Sequence, residues 1–561
     1  MERESDTITY SDRMTEENRQ KGKTIMMEER LDIERENELM VRFGLTRLCA
    51  RVVACRGCSD DQIAALLAEA TMADPWEAEG MAQVVERLRQ ARNDQEKVLV
   101  CGDYDADGIC ATAIMVDALR RFGLSVGFYI PDRLSEGYGL NEKTVRMAKE
   151  RDYSLLITVD NGVRAFAPLQ TARQLGLDVI VTDHHVMDAQ EPIVCSCLLH
   201  PQRMGEAFRT LSGAGVALEV SRALGTVNER QIVYAGVAAI GDVMEMKGET
   251  RSIVRQCIAL LNQQRVRSIQ LLANDSSVWD ETKIAFQIVP KLNVTGRLSD
   301  RCNVNNTVRY LLSENGSDLI TVSKQIAVLN ETRKAMSTQM IQTAQRRLSS
   351  QSAFLIVSDP SFHEGIVGLV AGKLCEQYGR PCMVLAQKGD RLRGSIRSVE
   401  GVDLSHFFDD LDCLKEYGGH ALAAGIAFDY RDRGEVERYV EKKMQLLLPL
   451  PPVQTRYIPI ERELLTLEQV DSLRLLRPFG NGFEEPLFCV QDLTIADTRT
   501  LSGEQHMKWT EKNGMELLFF HVGDRMQDLK EGGFRHFGGT LGINQFRHQR
   551  KVSMILREVE R

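Results

Sequence analysis

The stretch VLVCGDYDADGICATA, beginning at Val98, places Asp103, Asp105 and Asp107 at every second position directly after an apolar run. Further carboxylates and imidazoles end later apolar runs. LLITVD ends at Asp160, VIVTD ends at Asp183 and is followed by His184 and His185, and AGVAAIGD delivers Asp242. Such carboxylates gathered in one crevice repel one another unless cations neutralise them. Oxygen-rich ligands with one or two imidazoles suit Mn²⁺ or Mg²⁺ better than zinc or copper. Two such ions form the hydrolytic centre of many phosphoesterases.

Three simpler readings compete for DYDADG. It matches the start of an EF-hand loop, but the twelfth position is Ile114 where a bidentate Glu is required, and a strand precedes it instead of a helix. It resembles the acidic strand end of phosphoaspartyl enzymes, but lacks a Thr two residues after the second Asp. It could also be a solvated Asp/Gly turn.

The elements that must position these groups alternate in period. VLVCGD, VGFYIPD, LLITVDNG and VIVTDHH are strand-like, and amphipathic helical stretches separate them. That alternation predicts a parallel sheet with crossover helices. In such open α/β sheets, sites lie at the carboxyl ends of strands, where these residues fall. Glu38 to about Arg92 reads as helical. A helical connector over 313–350 leads to a second, smaller α/β lobe over 351–450. LLPLPP (447–452) is a stiff linker. The strand spacing over 453–561 predicts a small β-barrel. Residues 1–40 form a charged, peripheral extension, and 41–312 the catalytic domain.

The 561 residues exceed one domain. There is no run of eighteen apolar residues and no signal peptide, so a cytoplasmic protein that does not associate with membranes is expected. The thirteen cysteines are scattered and fit free thiols in a reducing compartment. Cys55-Arg-Gly-Cys58 lacks the second half of a zinc site. The net charge of −9 mildly opposes nucleic-acid binding, yet the end of the chain reverses it locally. There Arg535, His536, Arg547, His548, Arg550 and Lys551 interleave with Phe534, Phe537 and Phe546. This pattern suits a groove that tracks a single strand and stacks its bases. It equally suits core phenylalanines beside a charged edge strand.

DYDADG, VDNG, TDHH and the later Asp resemble the four motifs of the DHH phosphoesterase superfamily. IPDRLSEGYGL, SGAGVAL, PKLNVTGRL, HEGIVGLVAGKLCEQYGRP, RGSIRS, YGGHALAAG and PFGNGFEEPLF, in that order, resemble its RecJ-type single-strand-specific exonucleases. The resemblance runs from about residue 45 to the C-terminus. It implies a DHH lobe, a DHHA1-like lobe and an OB-like barrel. It also implies 5′→3′ hydrolysis of single-stranded DNA to 5′ mononucleotides with two Mn²⁺ or Mg²⁺ ions, in DNA repair and recombination. By position, Asp105, Asp107, Asp160, His184 and Asp242 match metal ligands, with Asp160 bridging and Asp103 in or beside the set. His185 matches a phosphate contact, and Asp183 would orient both histidines. Gly418, Gly419 and His420 match the GGH motif, where backbone and imidazole approach a phosphate. Arg297, Arg393, Ser395 and Arg397 would hold phosphates, as would the loop opened by His363. Arg547, Arg550 and Lys551 would line the nucleic-acid groove.

The resemblance further implies a monomer supplied with substrate by a helicase and a single-strand-binding protein. Four departures bear on substrate preference and leave every metal ligand in place: Ile396 for Gly, Lys291 for Arg, His200 for Asn before Pro201, and Gly241 before Asp242. Two other functions remain open. One keeps the centre but acts on short RNA, cyclic dinucleotides or pyrophosphate. The other is a non-catalytic DNA-binding relative.

Overall fold

The computed structural model describes residues 25–137, 139–187, 192–348, 352–450, 454–546 and 549–561. A short strand β1 (Ile25–Glu28) precedes a helix over Ile33–Phe43. The first lobe then forms a wholly parallel sheet from β2 (Lys97–Cys101), β3 (Ser125–Tyr129), β4 (Leu155–Val159), β5 (Asp178–Thr182) and β6 (Cys197–Leu199). β4 is buried along its whole length, as a strand covered by helices on both faces must be.

The strand order is β3-β2-β4-β5-β6. The chain leaves β2 in one direction for β3, then crosses back over β2 to lay down β4. The order therefore reverses between β2 and β4, and a crevice opens at their carboxyl ends. Asp103 and Asp105 follow β2, and Asp160 follows β4. AGVAAIGD is part of a helix, Glu229–Gly241, whose C-terminal cap is Asp242. The helix is apolar nearly all round because it is buried among other helices, including Ala106–Arg121 and Gly248–Asn262.

A helix of 32 residues, Gly316–Arg347, links this lobe to a second five-stranded sheet. That sheet contains β7 (Leu355–Asp359), β8 (Cys382–Lys388), β9 (Arg391–Arg397), β10 (Leu414–His420) and β11 (Ala423–Asp429), in the order β10-β11-β9-β8-β7. Only β7 and β8 pair in parallel. Seven C-terminal strands follow: β12 (Gln454–Pro459), β13 (Phe488–Gln491), β14 (Ile495–Leu501), β15 (His506–Glu511), β16 (Glu516–Phe519), β17 (His536–Phe546) and β18 (Gln549–Glu560).

β1 pairs with β12 in parallel, so a piece of the expected peripheral extension is the eighth strand of the C-terminal sheet. The helix after it buries Leu39 in the same apolar cluster as the barrel core. Buried Arg51 bonds Glu36 at 2.8 Å and Glu461 at 2.6 Å, tying the segment down by charge. A pairing partner more than 400 residues away leaves no local signal, which is why the charged composition suggested a peripheral extension.

All thirteen cysteines are free thiols, and neither cluster of metal-competent side chains among the described residues contains one. No helix is long and apolar enough to cross a membrane.

Candidate active site

Each ligand candidate is aimed by a specific local device. Asp105 caps the helix Ala106–Arg121, and its Oδ1 accepts from the amides of Asp107 (3.0 Å) and Gly108 (3.1 Å). Asp107, the second residue of that helix, reaches the N-terminus of the helix Gly213–Ala223. It accepts from Ser212 Oγ (2.9 Å), Gly213 N (2.7 Å) and Ala214 N (2.8 Å), where the helix dipole favours a carboxylate. Asp160 adopts a left-handed backbone (φ 61°), which turns its side chain back into the crevice at the end of β4. Gly213 makes room for it: a Cβ there would stand 2.5 Å from Asp160 Cβ. Asp183 accepts from the amides of His184 (2.7 Å), His185 (3.2 Å) and Val163 (3.0 Å), and its Oδ1 holds His185 Nδ1 at 2.8 Å. His200 is fully buried and bonds the carbonyl of His185 at 2.8 Å, so the histidine before Pro201 still supports this turn.

These devices converge on His184 Nε2. It lies 3.1 Å from Asp160 Oδ1, 3.4 Å from Asp242 Oδ2 and 3.6 Å from Asp107 Oδ2. Two compact donor groups result, Asp160–His184–His185 and Asp107–His184–Asp242. Asp160 Oδ1 and His184 Nε2 are buried and make no hydrogen bond. Leaving such atoms unpartnered costs free energy unless something else binds them. Carboxylate oxygens and imidazole nitrogens gathered this closely are the donor types that Mn²⁺ or Mg²⁺ ions take.

Electrostatics agrees. Burial first, then neighbouring Asp107 and Asp105, pushes the carboxyl of Asp242 up to about 8. Burial and Asp105 push Asp103 up to about 7. Burial, then Asp107, Asp105, Asp103 and Asp242, pushes Asp160 well up. Burial lowers His184. His185 moves the other way, to about 9, because the Asp183 carboxylate bonds its ring. Asp103 and Asp105 lie outside the two compact groups but near enough to act on them. Asp105 has one oxygen engaged as a helix cap.

The phosphate candidates separate into two sets. Arg297 is held at the end of the helix Val289–Arg297, and burial followed by repulsion from Arg133 brings its guanidinium down to about 10. Arg397 Nη1 bonds Ser395 Oγ at 2.7 Å, and burial lowers its guanidinium too, with Arg133 again adding repulsion. Arg133 lies over the Tyr104 ring at 4.4 Å. Arg133, Arg297 and Arg397 thus crowd one flank of the crevice, and none forms an ion pair among the described residues. Such a group calls for an anion.

Other candidates are engaged elsewhere. Arg393 faces Glu416 at 3.3 Å and Glu364 at 3.8 Å. His363 bonds Asp300 at 3.1 Å and takes the Gly365 amide for its own ring at 3.1 Å, so it staples the two lobes together. Gly418, Gly419 and His420 are exposed on β10, paired with β11, rather than forming a tight turn.

On the barrel, Phe537 is core and Phe534 packs on Trp509, so these two rings are structural. Arg550 pairs with Asp471 at 2.7 Å, while Lys551 is exposed. Arg547 and His548 lie outside the described residues. Arg133 and Tyr104 escaped the sequence reading, although both lie inside motifs it used; two arginines 164 and 264 residues further on reveal their role only in space.

Comparison with known proteins identifies the three lobes. The DHH family N-terminal domain matches residues 97–241, the DHHA1 domain 351–445 and the RecJ OB domain 458–558. The single-stranded-DNA-specific exonuclease RecJ of Bacillus subtilis is 30% identical over 94% of this chain and 70% of its own length. The chain belongs to the RecJ family. The Escherichia coli RecJ is 29% identical over 86% of this chain and 90% of its own. Among solved structures, Thermus thermophilus RecJ in complex with Mn²⁺ shares the RecJ fold across 96% of this chain and 79% of its own, with a TM-score of 0.81 at 24% identity. A manganese-bound exonuclease RecJ covers 67% of this chain and 96% of its own, with a TM-score of 0.59 at 28% identity.

Proposed function

We propose that the chain is a metal-dependent single-stranded-DNA exonuclease that degrades its substrate from the 5′ end and releases 5′ mononucleotides. The observation that carries this reading is the unpartnered pair Asp160 Oδ1 and His184 Nε2, set among carboxylates at the switch point of a RecJ-family sheet. Asp105, Asp107, Asp160, His184 and Asp242 would hold two divalent cations, with Asp103 beside them. When bound, such cations make water nucleophilic near neutral pH and stabilise charge on the phosphoryl and leaving oxygens.

The chain's own groups do the rest. His185, oriented by the Asp183 carboxylate on its Nδ1, would donate to a non-bridging phosphate oxygen. Arg133, Arg297 and Arg397 bind the terminal 5′ phosphate, which carries more charge than an internal diester. A phosphate held there, next to Tyr104 and Asp105, brings the first phosphodiester to the carboxylates. Cleavage at that bond leaves one nucleotide. The barrel holds the strand downstream through exposed groups such as Lys551.

A monomer in the cytoplasm, supplied by a helicase and a single-strand-binding protein, completes the reading. Digestion of 5′-labelled single-stranded DNA with Mn²⁺, Mg²⁺ or EDTA tests it. Immediate, metal-dependent release of labelled mononucleotide is expected. An uncut strand with every metal would refute it.

A further inference from the structure

The motif PFGNGF plays no part in the chemistry above. It forms a tight turn in which Gly480 N bonds Phe483 O at 2.9 Å and Phe483 N bonds Gly480 O at 3.0 Å. Gly482 takes the left-handed position of that turn, with φ 74°. The turn leads into the barrel, yet its tip lies against the catalytic lobe. Asn481 Nδ2 donates to the carbonyl of Val243 at 3.1 Å, and Asn481 O accepts from Met246 N at 2.8 Å. Both contacts grip the few residues directly after Asp242.

That segment needs a grip. Asp105, Asp107 and Asp183 are each fixed by amide or hydroxyl donors, and Asp160 is enclosed. Asp242 caps a helix C-terminus with its side chain 36% exposed, and its carboxylate accepts no hydrogen bond among the described residues. Its position depends on the backbone that follows. That backbone is strained: Val243 is β-branched, 65% exposed and left-handed at φ 55°. A conformation like this persists only where its surroundings impose it.

The turn itself is firmly anchored. Arg251 donates to the carbonyls of Leu476 (2.8 Å), Arg477 (3.0 Å) and Pro478 (2.7 Å). Glu281 accepts from Phe479 N at 2.9 Å. Phe479 and Phe483 stack with centroids 5.8 Å apart.

We infer that Asn481 is a positioning residue for Asp242, so that cation binding and docking of the barrel turn are coupled. The coupling is reciprocal: a docked turn raises cation affinity, and bound cation tightens the turn. The inference rests on Asp242 being a ligand, as proposed above.

The test uses the full chain without DNA. Mn²⁺ binding is followed by electron paramagnetic resonance for the natural sequence, Asn481→Ala and Asp242→Asn, and hydrogen exchange is followed over 243–246 with and without Mn²⁺. Asn481→Ala should weaken one Mn²⁺ ion by about tenfold, the usual effect of losing a group that orients a ligand. Its unfolding midpoint in EDTA should stay unchanged. Mn²⁺ should slow exchange over 243–246 in the natural sequence and not in the variant. If Asp242→Asn weakens Mn²⁺ while Asn481→Ala binds it as the natural chain does, the positioning role is overturned. If Asp242→Asn also binds normally, the ligand assignment itself fails. If Asn481→Ala does not fold, exchange in the natural chain decides, and indifference of 243–246 to Mn²⁺ overturns the coupling.

Discussion

His184 Nε2 and Asp160 Oδ1 lie 3.1 Å apart, both buried, and neither makes a hydrogen bond. A donor pair left unused in a packed interior marks where the fold keeps room for a cation. Replacing Asp160 by Ala should therefore lower the rate of single-strand hydrolysis by at least about a thousandfold, as expected when a two-cation centre loses a buried carboxylate ligand. Affinity for single-stranded DNA, measured by fluorescence anisotropy in Ca²⁺, should change little. A variant that still cuts at near the natural rate would remove Asp160 from the centre.

The protein without cations should lose stability as pH rises. Burial holds the carboxyls of Asp103 and Asp242 up to about 7 and about 8, above the ordinary carboxylate value near 4. The folded state then binds more protons than the unfolded state across that window, so stability falls with rising pH. His185, raised to about 9, adds to the fall above its ordinary value of about 6.5, because the folded state again keeps the proton longer. Thermal unfolding in EDTA should show a falling midpoint from pH 5 to pH 9, and Mn²⁺ should lift it most at the alkaline end. A midpoint in EDTA that rises over this range would contradict the assignment.

Cation binding should also release protons. At pH 6.5, Mn²⁺ must displace those held by the carboxyls of Asp103 and Asp242. Titration calorimetry in buffers of different ionisation enthalpy should give a buffer-dependent heat corresponding to at least about one proton per chain. Heats independent of buffer would count against it.

The crowd of Arg133, Arg297 and Arg397 should read the 5′ end. The natural chain should digest 5′-phosphorylated strands faster than 5′-hydroxyl strands, and Arg133→Ala should remove about tenfold of that preference, the scale of one charge-assisted contact. Equal loss on both substrates would instead give Arg133 a general role in strand binding.

On the barrel, core and surface separate cleanly. Phe537 is 1% exposed, and Phe537→Ala should cost about 3–5 kcal/mol of stability, seen in chemical denaturation. Lys551→Ala should leave the denaturation midpoint in place and reduce the salt dependence of single-strand binding by close to one phosphate contact. An unchanged salt slope would place the strand elsewhere on the barrel.

Part of the candidate centre was legible in the sequence because the rule that gathers those residues is local. A buried parallel strand is a short apolar run, its carboxyl end is where the run stops, and Asp103, Asp105, Asp160 and Asp183 all stand at such stops. Strand–helix alternation, the connector and the barrel could be read for the same reason, since each imposes its own period on the chain. The order of strands could not. Nothing in VLVC or LLITV states that β2 and β4 are neighbours with the reversal between them, and that adjacency is what turns separate acidic ends into one crevice. Packing alone also decided which arginines stay free of a carboxylate partner among the described residues. Arg297 and Arg397 face Tyr104 and Arg133, whereas Arg393 is drawn to Glu416 and Glu364, and His363 to Asp300. The sequence determined which groups can bind a cation or a phosphate, through residue type and local period. Tertiary structure decided which of them meet, because contacts between distant segments depend on burial and charge pairing that no local window contains.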